Sequence, residues 1–146
     1  MTLNEISKAI VDCAFRVHTN LGPGLLEHVY EVTLAHELRK QYALQVERQK
    51  PIPIEYDGIR FEEGFRADLL VVGKVLIELK SVEQLKPLHK KQVLTYLKLM
   101  HLELGLLINF GGELLKGNIE RLSRAAPNLP AGPSSGLKRR RPLEEC

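Results

Sequence analysis

Residues 66–81, RADLLVVGKVLIELKS, limit the fold more than any other stretch of the chain. Two apolar segments, DLLVV and VLIELK, are separated only by Gly73-Lys74, and runs of this length and composition read as paired strands. Yet Asp68, Glu78 and Lys80 stand inside them, and an isolated charge in a sheet interior is expensive. Strand side chains alternate faces, so Leu76, Glu78 and Lys80 point one way and Val75, Ile77 and Leu79 the other. The apolar set can line a core while the Glu/Lys pair lines a cleft. Whether Asp68 joins that pair depends on the turn. A connection of odd length puts residues 68 and 78 on one face, and an even one puts them on opposite faces. Gly73 can supply the positive φ of a three-residue bulged turn.

The rest of the chain supplies helices on both sides of this segment. A capping box, Thr2 to Glu5, opens a first helix whose apolar face is Ile6, Ile10, Cys13, Ala14 and Val17. The run NLGPG breaks it at residues 20–24. A second helix is expected from about Leu25 to Lys40, with Leu26, Val29, Thr33, Leu34 and Leu38 inward. ALQVERQKPIPIEY alternates imperfectly and carries two prolines, which suits an edge or an irregular strand. Asp57-Gly58 is a two-residue hairpin signal between IPIEY and IRFEEGF, after which come DLLVV and VLIELK. Pro87 begins a third helix over 86–101 with Leu88, Val93, Leu94, Leu97 and Met100 apolar, and LELGLLINFGG closes the domain as a buried strand and a glycine turn. The order α, α, several β, α, β predicts an α/β sandwich with a mixed sheet.

The overall charge does not announce a nucleic-acid partner. The 146-residue chain carries a net charge of +3, and two of those charges come from the tail, where Lys138, Arg139, Arg140 and Arg141 outnumber Glu144 and Glu145. Residues 123–146 are rich in Pro, Gly and Ser and predict a disordered tail, so the folded domain is expected to span 1–122. The KRRR run can grip nucleic acid or serve as an address, although a solvated tail is the commoner case. No apolar run reaches membrane-spanning length, and MTLNEISKAI lacks a signal-peptide pattern. Two cysteines, Cys13 and Cys146, make neither a disulfide framework nor a zinc spacing, which points to a reducing, cytoplasmic setting.

Two carboxylates with nearby backbone carbonyls are the donor set that hard divalent ions such as Mg²⁺ and Mn²⁺ prefer. Lys80, two residues past Glu78, can reach the same point as a cation. The same residues can equally form a structural ion pair on a half-exposed strand face, and spacing does not decide between the two.

Asp68 followed by Glu78-Leu79-Lys80 resembles the signature of the PD-(D/E)XK nuclease superfamily, with Ala67 where the proline of the name often stands. Gly24-Leu25-Leu26-Glu27-His28-Val29-Tyr30 resembles the GxxExxY motif of a small branch of that superfamily. Gln92 and Tyr96, four apart in KKQVLTYLKL, are a third match. The three cover residues 5 to about 120 in the right order. The resemblance implies a restriction-endonuclease-like α-β-β-β-α-β core, here with one extra hairpin strand and one extra leading helix. It implies divalent-metal-dependent hydrolysis of phosphodiester bonds, with Mg²⁺ or Mn²⁺ as cofactor. Asp68 and Glu78 would bind the metal, the Leu79 carbonyl would be a further ligand, and Lys80 would be the catalytic lysine. Glu27 would be a supplementary acidic ligand or would hold a metal-bound water. Gln92, Tyr96, Tyr30 and His18 would position substrate, metal or lysine.

Each of these has a plainer reading. Glu27 is also favoured by the helix dipole, tyrosines are often core residues with a bonded hydroxyl, Gln92 can be solvated, and His18 can brace the glycine turn. His28, His36, His89 and His101 show no metal spacing and read as surface residues. Lys86, Lys90, Lys91 and Lys98 make the third helix basic, which can contact phosphates or simply face water. The partner implied is nucleic acid, DNA ahead of RNA, with a homodimer if both strands of a duplex are cut and no membrane. The rival readings are a catalytically weak nucleic-acid-binding or regulatory module that keeps the nuclease fold, and a structural partner whose charged strands form an interface.

Overall fold

The computed structural model describes residues 1–124. Helix α1 (Leu3–Leu21) begins at the expected capping box, where Glu5 N–H donates to Thr2 Oγ1 at 3.1 Å and Thr2 N–H to Glu5 Oε1 at 2.7 Å. Its apolar stripe, Ile6, Ile10, Cys13, Ala14 and Val17, is buried as the periodicity requires. Helix α2 (Glu27–Tyr42) starts two residues later than expected, because Leu26 takes an extended conformation as its N-cap. The buried stripe becomes Tyr30, Glu31, Leu34, Ala35 and Leu38, about one position round the helix, and Leu26 is left 79% exposed rather than inward.

Strands β1 (Val46–Tyr56), β2 (Ile59–Val71) and β3 (Val75–Lys80) follow, then helix α3 (Pro87–Met100), β4 (Leu104–Asn109) and β5 (Ile119–Ser123). They form one sheet in the order β1-β2-β3-β4-β5. β3 and β4 are parallel, as a helical crossover permits, and the other neighbours are antiparallel. β1, with its prolines, is an edge strand as expected. The Asp57-Gly58 turn is also as expected: both residues have positive φ (56° and 73°), and Tyr56 pairs directly with Ile59.

Two details of the sheet differ from the sequence reading. IRFEEGF and DLLVV are one strand, so no extra hairpin strand precedes α3. The break in pattern is a bulge, where the register shifts between Ile52 and Ile54. A Cβ on Gly64 would fall 1.8 Å from the Ile52 carbonyl oxygen, which is why glycine stands there. The additional strand is β5 at the opposite edge, past the glycine turn. Ser123 ends it and Arg124 N–H donates to Glu103 O at 2.9 Å, so ordered structure passes residue 122. The expected tail beyond that point, with its KRRR run, lies outside the described residues. No described helix is long and apolar enough to cross a membrane.

Helices α1 and α2 cover one face of the sheet, packing on Leu69, Val71, Val75, Ile77, Leu79, Leu106 and Ile108. Helix α3 covers the other, with Val93, Tyr96 and Leu97 on Ile52, Ala67, Leu76 and Leu107. Each large apolar side chain buried this way stabilises the fold by about 1.5–3 kcal/mol. Ala67 and Leu69, two apart on β2, belong to opposite faces, so strand alternation breaks at Asp68.

Candidate active site

The turn between β2 and β3 fixes what the two acids can do. Leu69 pairs with Ile77, Leu70 with Leu76 and Val71 with Val75, leaving Val72, Gly73 and Lys74 as a three-residue loop. The connection is odd, and Asp68 and Glu78 therefore face each other. Lys74 N–H donates to Val71 O at 3.0 Å, and positive φ falls on both Val72 (55°) and Gly73 (65°). Only the glycine was expected to take it. The left-handed region costs a β-branched residue about 1–2 kcal/mol, and the bond from Val72 N–H to Gln45 O at 2.8 Å helps hold it there.

Beyond the Leu69–Ile77 pair, carboxylates take the place of ladder carbonyls. Asp68 N–H donates to Glu78 Oε1 at 3.1 Å, and Leu79 N–H donates to Asp68 Oδ2 at 2.8 Å. The two side chains thus part the strands and lock each other across the split. Glu78 is only 8% exposed. Burial, and then the neighbouring Asp68 charge, push its carboxyl up to about 8, against the Asp68 N–H bond and the Lys80 charge. Burial also raises Asp68, with Glu31 and Glu27 adding to the effect and Leu79 N–H opposing it. A buried carboxyl with a second acid beside it favours holding a proton or a cation near neutral pH. Their oxygens fit a hard ion such as Mg²⁺, which binds through one or two carboxylates and keeps several waters.

The other expected residues divide. Lys80 follows Glu78 on the same strand face and is half-buried. Leu79 is buried, with its N–H committed to Asp68. Tyr96 is buried on α3 with its ring 5.0 Å from Phe65, and burial first, then the Glu78 and Asp68 charges, raise the pKa of its hydroxyl. Gln92, one helical turn earlier on the same side of α3, is half-buried. Glu27 is exposed on the first turn of α2 and acts on both acids through its charge. Among the described residues no three His, Cys, Asp or Glu side chains converge to hold a metal.

Tyr30 and His18 are brought together elsewhere, around Phe110. The Tyr30 ring stacks on Phe110 at 4.4 Å and 6°, and its hydroxyl donates to Gly22 O at 2.6 Å and accepts from Leu25 N–H at 3.0 Å. His18 Nε2 bonds Gly112 O at 3.0 Å. The Tyr30 hydroxyl therefore braces the turn that presents Glu27, and His18 ties α1 to the loop after β4. Tyr30→Phe is expected to destabilise the fold by about 1–2 kcal/mol, read as a lower urea midpoint, because two backbone groups lose their partner. An unchanged midpoint would remove the bracing role.

Two residues near the site went unforeseen. Glu31, 3% exposed, is held by Arg48 Nε at 3.0 Å and by Gln49. Its place on the helix face shared with Glu27 was legible; its partners, from an edge strand, were not. His89, read as a surface residue, caps α3 by accepting Lys86 N–H at 3.1 Å. Burial first, then the Lys80 and Lys86 charges, lower its pKa, while Glu27 acts the other way.

A family model, the PD-(D/E)XK nuclease superfamily, matches residues 4–122, and the chain belongs to that superfamily. No curated protein and no solved structure matches the chain.

Proposed function

We propose that this chain is a divalent-metal-dependent nuclease of the GxxExxY branch, hydrolysing phosphodiester bonds in nucleic acid, DNA ahead of RNA. The observation that carries this reading is the pair of hydrogen bonds in which Asp68 N–H donates to the Glu78 carboxylate and Leu79 N–H to the Asp68 carboxylate, with Lys80 on the same strand as Glu78. Superfamily membership supports the same substrate class. Mg²⁺ or Mn²⁺, when bound, would polarise the phosphoryl group and lower the pKa of a water. Asp68 and Glu78 would hold it, with the Leu79 carbonyl as a further ligand. Lys80 orients the attacking water or meets the negative charge that grows on the phosphoryl oxygens as the bond to the leaving oxygen breaks. Tyr96 and Gln92 line the α3 side of the cleft and position the substrate backbone. The buried free thiol of Cys13 fits a cytoplasmic setting, and a homodimer would serve if both strands of a duplex are cut.

A panel of DNA and RNA substrates incubated with Mg²⁺ or Mn²⁺, beside Asp68→Ala, tests the reading. Cleavage is expected only with metal, and both cleavage and Mn²⁺ binding are expected to disappear in the folded variant. Folded wild-type protein that binds nucleic acid but cleaves nothing in the panel would favour a binding module.

A further inference from the structure

Gln49 occupies an unusual place. It lies inside β1, between the pairs Arg48–Leu69 and Lys50–Ala67, yet its φ is 53°. A long side chain in the left-handed region within a strand is uncommon and needs a reason. The interruption lies across from Asp68, where β2 loses its alternation. The Gln49 Nε2 donates to Glu31 Oε1 and also reaches Asp68 Oδ1 at 3.4 Å, a long contact. One neutral amide nitrogen with two hydrogens therefore stands between two carboxylates. The Glu31 end is anchored, being buried and paired with Arg48. At the Asp68 end each oxygen then has one donor: Leu79 N–H on Oδ2 and the Gln49 amide on Oδ1.

We propose that Gln49 is a positioning residue of the metal site. Its amide, held by Glu31, fixes the Asp68 carboxylate in the orientation that presents its remaining lone pairs to the cation, and its backbone adopts a strained conformation to do so. The inference rests on the metal-dependent reading of Asp68 and Glu78. Partners that orient a ligand from behind typically carry 10–100-fold in metal affinity.

Two variants separate positioning from folding. Gln49→Gly removes the amide while relieving the left-handed backbone. Gln49→Asn tolerates the same φ and keeps an amide, but it is one methylene too short to span both acids. Calorimetric titration with Mn²⁺ alone is expected to show affinity lowered about 10-fold or more in both. The metal-free Gln49→Gly protein is expected to stay folded with a modestly lower thermal midpoint, since relief of the left-handed backbone offsets part of the loss of one Glu31 donor. Mn²⁺ affinity equal to wild type in both variants would overturn the inference and leave the metal site standing. No Mn²⁺ binding by wild-type protein would overturn the metal site and the inference together.

Discussion

Lys80→Ala is expected to slow metal-dependent cleavage by about 10²–10³-fold while leaving the thermal midpoint within about 3 °C of wild type. The asymmetry follows from where the side chain sits. Lys80 ends β3, half-buried, and its backbone carbonyl still accepts Phe110 N–H at 2.8 Å whatever the side chain. Removing the amine therefore leaves the β3–β4 junction intact. What disappears is a preorganised positive charge beside Glu78, in a split dry enough for it to act strongly on a developing anion. Lys80→Arg is not expected to restore the rate, since a planar guanidinium cannot occupy the place of a compact ammonium. Single-turnover cleavage with saturating Mn²⁺ is the measurement. A purified, folded Lys80→Ala protein that cleaves at the wild-type rate would end the proposed mechanism.

Glu78→Gln is expected to make the metal-free protein more stable at pH 8, although it destroys the site. In the fold this carboxyl is raised from its ordinary 4.5 to about 8. Between those values the folded state holds a proton that the unfolded chain has released. The contribution of Glu78 to stability is therefore fully present below about pH 4.5 and is lost as pH rises toward 8. Glutamine cannot ionise, yet its Oε1 can still accept Asp68 N–H. The variant should gain on the order of 3 kcal/mol over wild type at pH 8 and little at pH 5, by urea denaturation. Adding Mn²⁺ at pH 8 should close most of the gap by stabilising wild type only. If the two proteins lose stability in parallel from pH 5 to pH 8, Glu78 is not the group responsible.

Much of this was legible in the sequence because it depends on local rules. The capping box, the Asp57-Gly58 turn, the edge strand with prolines and the two faces of VLIELK each follow from a few neighbouring residues. The odd register could be framed but not chosen, because turn length is decided jointly by Val72, Gly73 and the distant Gln45 carbonyl. The stripe of α2 was misplaced by one position because Leu26, apolar and next to the helix, proved to be its extended cap. β5 was hidden by its short, mixed sequence, IERLS, which shows no clean alternation. The Glu31–Arg48–Gln49 group was out of reach for a different reason. A buried acid is acceptable only with its partners in place, and these lie 17 and 18 residues away on another element. Tyr30 shows the converse: a motif match located it correctly, but only packing shows that its hydroxyl serves the backbone.

The pairing that buries β2 also keeps the two acids aligned. A slip of β2 against β3 by one residue would turn Asp68 away from Glu78, but it would turn Leu69 and Val71 out of the core at the same time. The packing of these leucine and valine side chains therefore proofreads the site: a chain that lost the alignment of its acids would lose stability before it lost chemistry.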